Sequence, residues 1–148
     1  MIDSDSPLTA SCQLSIPFND LDPAGVVWHG RYLKYFECAR ARLMDELGYG
    51  YPEMQDSGLL WPVVDLNVSY RKPLRLNEKI VVAATLREWE FRLTVDHEIT
   101  NESGERCVTA TTVQVPVFLE TMEICLGAPQ RLMDNIERKL HPGSNGTG

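Results

Sequence analysis

The sequence predicts an α+β domain in which five antiparallel strands form one sheet around a single long helix, followed by a C-terminal helix. Three observations lead to this fold class: a short alternating segment, a long stretch of helical period after a turn, and a change to a period of two beyond residue 63. A chain of 148 residues suffices for one buried core. We therefore expect a single domain over residues 1–148, with flexible tails at 1–10 and 141–148.

Residues typical of a turn separate the first strand from the long helix. The predicted strand alternates polar residues with the apolar residues Cys12, Leu14, Ile16 and Phe18. The segment "NDLDPAG" that follows combines Asn, Asp, Pro and Gly. The helix runs from about residue 30 to residue 47, and its apolar face carries Leu33, Phe36, Leu43, Met44 and Leu47. Gly48 is placed to end it in a left-handed conformation, and "YPEMQDSG" predicts one short helical turn.

Four strands and a second helix follow. Alternation predicts the strands at residues 64–70, 80–86, 91–99 and 113–117, with a hairpin turn at "NESGE". Pro129 begins the last helix, whose apolar side carries Leu132, Ile136 and Leu140. One helix cannot cover both faces of a five-stranded sheet. We therefore expect the uncovered face and its edge strand to pair with a second copy of the chain.

Charge and hydropathy argue against several classes of protein. The net charge of -7 argues against a nucleic-acid partner, because phosphate neutralisation needs a surplus of Lys and Arg. No apolar run approaches the roughly 20 residues of a membrane span. The first residues, "MIDSDSPLTAS", lack the pattern of a secretory signal. We expect a cytoplasmic protein.

The cysteines indicate free thiols. Cys12, Cys38, Cys107 and Cys125 are widely spaced, with no CxxC pair and no cluster with histidine. This spacing favours neither a zinc site nor a disulfide framework. We expect no metal.

A carboxylate, a turn and a histidine meet where the long helix begins. Asp22 precedes Pro23, which favours an extended or turn conformation, and Gly25 permits close backbone approach. The chain from Val26 to His29 then leads into a helix whose first amides lack acceptors within the helix. Such a terminus offers N–H donors to a carbonyl oxygen, and a nearby carboxylate can attack or activate water. The pattern indicates acyl transfer.

Structural roles for the same residues remain open at this point. Asp20 or Asp22 can cap the turn, and His29 can be a hydrogen-bonded structural histidine. Glu37 lies on the helix with Asp45 and Glu46, either on a solvated face or directed inward.

The segment "FNDLDPAGVVWHGRYLKYFECAR" resembles the signature of hot-dog-fold acyl-CoA thioesterases of the 4-hydroxybenzoyl-CoA thioesterase type, a group that includes relatives associated with the Tol–Pal envelope system. The downstream segment "VSYRKPLRLNEKIVV" extends the resemblance, which covers residues 13–118. The matching residues are Asp20, Asp22, Gly25, Val26, Val27, Trp28, His29, Tyr32 and Arg40, followed by Tyr70, Lys72, Pro73, Arg75 and Leu76.

The resemblance implies a homodimer with active sites at the subunit interface, or a homotetramer of two such dimers. It implies that Asp22 is the catalytic carboxylate, as nucleophile or general base, and that the backbone amide of His29 polarises the thioester carbonyl. Gly25, Trp28 and Tyr32 match positions that form and orient this site. No metal or redox cofactor is implied.

Coenzyme A carries phosphates that need cations. We expect Arg71, Lys72 and Arg75 to bind them, with Arg87 and Arg92 as the next candidates in an acidic chain. The acyl group is expected between the helix and the strand beginning near Trp61. Acyl carrier protein is an alternative carrier.

Three other functions compete with this interpretation. A hot-dog hydratase places Asp and His five residues apart around Asn-Pro, whereas Asp22 and His29 are seven apart. A second thioesterase clade keeps its carboxylate on the helix after a His-Gly-Gly turn, which would make Glu37 the acid. A non-catalytic acyl-CoA-binding module would bind the ligand without turnover.

Overall fold

The computed structural model describes residues 2–143 and confirms the predicted α+β architecture. Its strands are β1 (Thr9–Ser15), β2 (Leu59–Leu60), β3 (Val63–Tyr70), β4 (Lys79–Glu88), β5 (Leu93–Asn101), β6 (Arg106–Gln114) and β7 (Val117–Phe118). Its α-helices are α1 (Tyr32–Glu46), α2 (Tyr51–Asp56) and α3 (Gln130–Leu140). Five strands form an antiparallel sheet in the order β1-β4-β5-β6-β3, and β2 pairs with β7 separately.

Helix α1 packs across the sheet because one of its faces is apolar throughout. Phe36, Ala39 and Leu43 lie on that face and are each at most 1% exposed. They share one core with Val82 of β4 and Val95 of β5, which are fully buried. Replacing Phe36 with alanine would cost about 3–5 kcal/mol of stability. This packing fixes the position of the helix start relative to the sheet.

The end of α1 has the predicted glycine cap. Gly48 has a φ of 69°, and its amide donates to the Asp45 oxygen at 3.0 Å. The next amide, of Tyr49, donates to the Met44 oxygen at 2.9 Å. These two bonds form a Schellman motif, which satisfies carbonyls that the helix leaves free.

The N-terminal strand begins earlier than alternation indicated. β1 starts at Thr9, and Leu8 and Ala10 are 2% and 6% exposed, although both were assigned to a flexible tail. Phe18, expected in the strand, is exposed in a short 3₁₀ turn at Phe18–Asp20. Pairing with β4 therefore carries the sheet further toward the N-terminus. The expected tail at 141–148 lies mainly outside the described residues.

Strand β6 faces the core with the opposite set of residues from the one predicted. Alternation of valines predicted a strand at 113–117, but the strand ends at Gln114. Thr112 and Gln114 are buried on the helix side, while Val113 is only half-buried. The polar positions are accepted there because Thr112 bonds the His97 ring at 3.0 Å and the Gln114 amide donates to the Trp61 oxygen at 2.8 Å.

The two edges of the sheet differ in chemistry. β1 exposes Ser11, Gln13 and Ser15. β3 is exposed along most of its length on both faces, and its exposed apolar residues are Val63, Val64, Leu66 and Tyr70. A long apolar edge of this kind is a template for strand pairing. Within residues 2–143, no helix is both long and apolar enough to cross a bilayer.

Candidate active site

The turn before the long helix holds the Asp22 side chain by its own backbone. Asp22 Oδ1 accepts the amides of Ala24 at 2.8 Å and Val26 at 3.4 Å, while its own amide donates to the Val26 oxygen at 2.8 Å. Gly25 turns the chain with a φ of 81°. Both side-chain bonds end on Oδ1, so Oδ2 has no hydrogen-bond partner among the described residues. The half-buried carboxylate is oriented and still accessible.

A β-bridge and two backbone hydrogen bonds hold the chain between this turn and the helix. Val26 bridges to Arg75, the Val27 amide donates to the Leu74 oxygen at 2.9 Å, and the Trp28 amide donates to the Asp20 oxygen at 3.0 Å. The segment is therefore fixed on both sides. Its position does not depend on side-chain packing alone.

The first turn of the helix presents free amides. A 3₁₀ turn at His29–Arg31 leads into α1, and its first bond runs from the Arg31 amide to the Trp28 oxygen at 2.9 Å. The amides of His29 and Gly30 precede that bond and have no acceptor within the helix. Their N–H groups and the helix dipole favour a partial negative charge at this end. This is the chemistry of an oxyanion site.

Gly30 is needed because the Trp28 indole lies over it. A Cβ atom added at Gly30 would fall 2.3 Å from Cζ3 of Trp28. The indole also contacts the His29 ring, with centroids 4.8 Å apart, and remains 48% exposed. A side chain at position 30 would displace the indole from the free amides.

Tyr70, at the end of β3, reaches the helix start from the sheet edge. Its hydroxyl donates to the His29 oxygen at 2.8 Å, and its ring lies 5.5 Å from that of Tyr32. Burial raises the pKa of Tyr32 to about 12, so this phenol stays neutral. Tyr70 is among the residues that match the family pattern, but the sequence predicted no role for it in the site. A contact across 41 residues leaves no local signal in the sequence.

The two aspartates of the turn have different surroundings. Asp20 is 1% exposed and accepts hydrogen bonds from Lys34 Nζ, at 2.6 Å, and from the Tyr35 hydroxyl. Burial acts to raise its pKa, but the bonds from Lys34 and Tyr35 and the charges of Lys34 and Arg31 outweigh this effect, and the net pKa is lowered. Asp20 is thus an ionised structural anchor. The turn cap and the accessible carboxylate are both found at Asp22.

The helix carboxylate Glu37 lies away from the free amides. Its side chain is 65% exposed, and Oε1 lies 3.9 Å from Nη2 of the buried Arg40. Glu37 is eight residues beyond His29, or about 12 Å along the axis at 1.5 Å per residue. Asp22 is instead the accessible carboxylate of the turn that leads to the helix start.

The cations expected to bind coenzyme A have unequal surroundings. Lys72 is paired with Glu105 on the β5–β6 hairpin. Arg71 and Arg75 are exposed and have no carboxylate within 4.0 Å among the described residues. Arg75 adjoins the site through its bridge to Val26, whereas Arg71 lines a groove on the outer face of the sheet. The next candidates are also occupied, since Arg87 pairs with Asp96 at 3.2 Å and Arg92 with Glu88 at 3.3 Å.

A pocket lies between α1 and α2, beside the carbonyl of Trp61. It is shallow, with room for water-sized molecules of only about 20 Å³, and its lining residues are Arg40, Ala41, Met44, Asp45, Gly50, Tyr51, Met54 and Gln114. A Cβ atom added at Gly50 would fall 2.1 Å from Asp45 Oδ1, so a side chain there would displace the exposed Asp45 carboxylate. The acyl group was expected between α1 and the strand near Trp61, a region that this pocket adjoins only through Gln114.

His97 lies beneath α1 and is 2% exposed. Its ring packs 5.1 Å from that of Phe36, and its Nδ1 atom has no hydrogen-bond partner among the described residues. Burial, and secondarily the charge of Arg40, lowers the pKa of His97 to about 3, so the ring is neutral. Among the described residues, no group of three or more His, Cys, Asp or Glu side chains is arranged to hold a metal ion.

The chain is similar to known proteins of one family. The model of the thioesterase-like superfamily matches residues 16–136. The relative named "Putative acyl-CoA thioesterase YneP", from Bacillus subtilis strain 168, is 33% identical over 112 residues, covering 75% of this chain and 81% of the relative. The crystal structure of a DHNA-CoA thioesterase from Staphylococcus aureus is 26% identical, with a TM-score of 0.79 and coverage of 95% of both chains.

A further likeness concerns the fold alone. The structure of a 4-hydroxybenzoyl-CoA thioesterase mutant in complex with 4-hydroxybenzoyl-CoA has a TM-score of 0.76 at 18% identity, covering 86% of this chain and 97% of that chain. The chain therefore belongs to the thioesterase-like superfamily and has its hot-dog fold.

Proposed function

We propose that the protein hydrolyses an acyl-CoA thioester to the free acid and coenzyme A. The observation that carries the proposal is that one segment holds both an accessible, oriented Asp22 carboxylate and the amides of His29 and Gly30 that are free at the helix start. Family membership and the thioesterase names of its relatives support the same reaction.

The proposed mechanism uses the two parts of the site in one step. The thioester carbonyl oxygen accepts hydrogen bonds from the amides of His29 and Gly30, which stabilise its negative charge in the tetrahedral intermediate. Asp22 either attacks the carbonyl carbon, forming an anhydride that water then opens, or takes a proton from the attacking water. The coenzyme A sulfur leaves as thiolate and is protonated. One water is consumed for each acid and thiol released.

Other residues position these groups. Gly25 allows the turn that directs Asp22, and Trp28 covers the first peptide of the helix. Tyr32 is a neutral phenol beneath the site, and the His29 imidazole is exposed, so the backbone amide of His29 is its proposed contribution. Tyr70 joins this set as a positioning residue, because it binds the His29 carbonyl.

We propose that Arg75 and Arg71 bind the phosphates of coenzyme A. Both are exposed cations close in sequence to the strand end that contacts the site. Lys72 contributes less because Glu105 already pairs with it. The acyl group extends along α1 in the direction of Met44 and Met54, whose thioethers offer an apolar surface rather than an enclosed cavity.

The assembly we propose is a homodimer formed through the β3 edges, with a homotetramer as a further step. The apolar exposure of β3 on both faces supports this pairing, because α1 covers β1 and β4 instead. Pairing of β3 with its copy would bring a second chain next to Tyr70, at the rim of the site.

The experiment that tests the proposal is a thiol-release assay across acyl-CoA and aryl-CoA substrates of graded length. Hydrolysis of at least one substrate is expected, with a parallel set of acyl carrier protein thioesters to identify the carrier. Tight binding of acyl-CoA with no turnover across the series would contradict the proposed hydrolase and favour a binding module.

A further inference from the structure

Two cysteines that are far apart in sequence are in contact in the fold. Cys12 lies on β1 and Cys38 on α1, and their sulfur atoms are 3.3 Å apart. A disulfide bond is about 2.05 Å long, so the sulfurs need to approach by only about 1 Å. The two elements already pack against each other, and the approach requires no rearrangement of the sheet.

The two thiols differ in access. Cys38 is exposed on the helix surface, whereas Cys12 is buried beneath it. Burial, followed by the hydrogen bond and charge of Cys38, raises the pKa of Cys12 to about 11. An oxidant therefore reaches Cys38 first, and Cys12 is placed to react second.

We infer that Cys12 and Cys38 form a reversible intramolecular disulfide under mild oxidation by a peroxide. In the first step the Cys38 sulfur displaces water from hydrogen peroxide and becomes a sulfenic acid. In the second, the Cys12 sulfur attacks the Cys38 sulfur and loses its proton, and the sulfenic oxygen leaves as water. Two thiols and one peroxide give one disulfide and two waters.

The cross-link encloses the candidate site. It joins residues 12 and 38 into a ring that contains the Asp22 turn, the helix start and the first half of α1. The pair lies at the β1 edge, at the opposite end of the sheet from β3, so dimer formation through β3 leaves Cys38 accessible. Such a disulfide makes this segment the part of the chain most directly stabilised by oxidation.

The remaining cysteines provide internal controls. Cys107 is buried, and its Sγ donates to the Glu105 oxygen at 3.5 Å. Cys125 is half-buried, and its Sγ donates to the Gly127 oxygen at 3.4 Å. Neither has a sulfur neighbour among the described residues, so each should remain a thiol under conditions that oxidise the pair.

The test treats the full chain with a small excess of hydrogen peroxide and follows it by mass and thiol titration. The intact mass should fall by two hydrogens, the four titratable thiols should fall to two, and peptide mapping should link Cys12 to Cys38. The Tm should rise by about 5–10 °C and return on reduction. Cys125→Ser should form the same cross-link and show the same rise in Tm as the wild type. Cys38→Ser should show neither the cross-link nor the rise in Tm.

Two results would overturn the inference: Cys38 proceeding to sulfinic acid while Cys12 stays a thiol, or Cys38 linking only to other chains. If Cys38→Ser does not fold, the peptide map of the wild-type chain decides alone. No readout involves hydrolysis, so failure here leaves the proposed function unaffected.

Discussion

The hydroxyl of Tyr70 binds the carbonyl of His29 at 2.8 Å, and that carbonyl shares one peptide plane with the N–H of Gly30. A hydrogen bond at one end of the plane therefore fixes the direction of the donor at the other end. The sheet edge controls the geometry of the proposed oxyanion site through this single contact.

Tyr70→Phe should lower kcat about five- to tenfold with little change in KM. The substitution keeps the ring against Tyr32 but removes a hydrogen bond whose net value is about 1 kcal/mol, and the loss is felt when the oxyanion forms. Steady-state kinetics measures the split. An unchanged kcat would show that the Gly30 amide needs no support from β3.

Asp22→Asn should lower kcat by about a hundredfold or more, because it removes the negative charge required of either a nucleophile or a base. The amide oxygen can still accept the Ala24 and Val26 amides, so the turn is preserved. Binding of a non-hydrolysable thioether analogue, measured by calorimetry, should persist.

Glu37→Gln is the matched control for the rival thioesterase clade. It should change kcat less than twofold, because Glu37 is exposed and about 12 Å along the helix from the free amides. If Glu37→Gln abolishes hydrolysis while Asp22→Asn retains it, the catalytic carboxylate has been assigned to the wrong residue.

Asp20→Asn should destabilise the fold by about 2 kcal/mol at pH 7, since hydrogen bonds to a charged group are lost in a buried site. The pKa of Asp20 is lowered by folding, so its stabilising contribution is complete above the unfolded pKa of about 3.9 and is lost as the pH falls through the lower folded value. The difference in Tm between wild type and variant should therefore shrink below about pH 4. A difference in Tm that stays constant as the pH falls below about 4 would contradict the interpretation that Asp20 stabilises the fold as an ionised carboxylate.

Arg71→Gln and Arg75→Gln should each raise KM about three- to tenfold at nearly constant kcat, because phosphate contacts act equally on ground and transition states. Lys72→Gln should have a smaller effect because Glu105 already pairs with Lys72. A pantetheine thioester, which lacks the nucleotide phosphates, should be insensitive to all three changes. Unchanged KM in every variant would transfer the role to Arg87 or Arg92.

Leu66→Lys should shift the assembly toward monomer, because it places a charge on the exposed apolar edge strand β3. Gln13→Lys, on the polar opposite edge, is the control and should leave the assembly intact. Light scattering at micromolar concentration distinguishes them. A monomeric mass for the wild-type protein would contradict both the proposed dimer and the position of the site at a subunit interface.

Local patterns in the sequence were sufficient for the elements whose signals are local. The glycine cap of α1, the helix period and the hairpin at residues 101–105 were all predictable, because each depends on neighbouring residues. Which face of β6 is directed to the core was not predictable. Thr112 and Gln114 are buried there because they bond to His97 and Trp61, which lie in distant segments of the chain.

The site was predictable in outline and incomplete in detail. The family pattern identified Asp22 as the catalytic carboxylate, but the residues of the turn alone gave no basis for assigning the buried Asp20 a different role. That difference comes from Lys34 and Tyr35, which reach Asp20 one turn into the helix. The contact between Cys12 and Cys38 leaves no signal in the sequence, because the two residues are 26 positions apart and meet only where α1 packs on β1.

The strand order has a consequence for how the molecule forms and opens. β4, β5 and β6 are consecutive hairpins, whereas Ala10 of β1 pairs with Ala84 and Val68 of β3 pairs with Ala110, both far away along the chain. The segment between β1 and β3, which includes α1 and the candidate site, is joined to the rest of the sheet through these two long-range strand pairings. We expect the central hairpins to form early and the helix with its site to join last. In the native state the same segment should open first, so amides at the start of α1 should exchange with solvent well before those of β5.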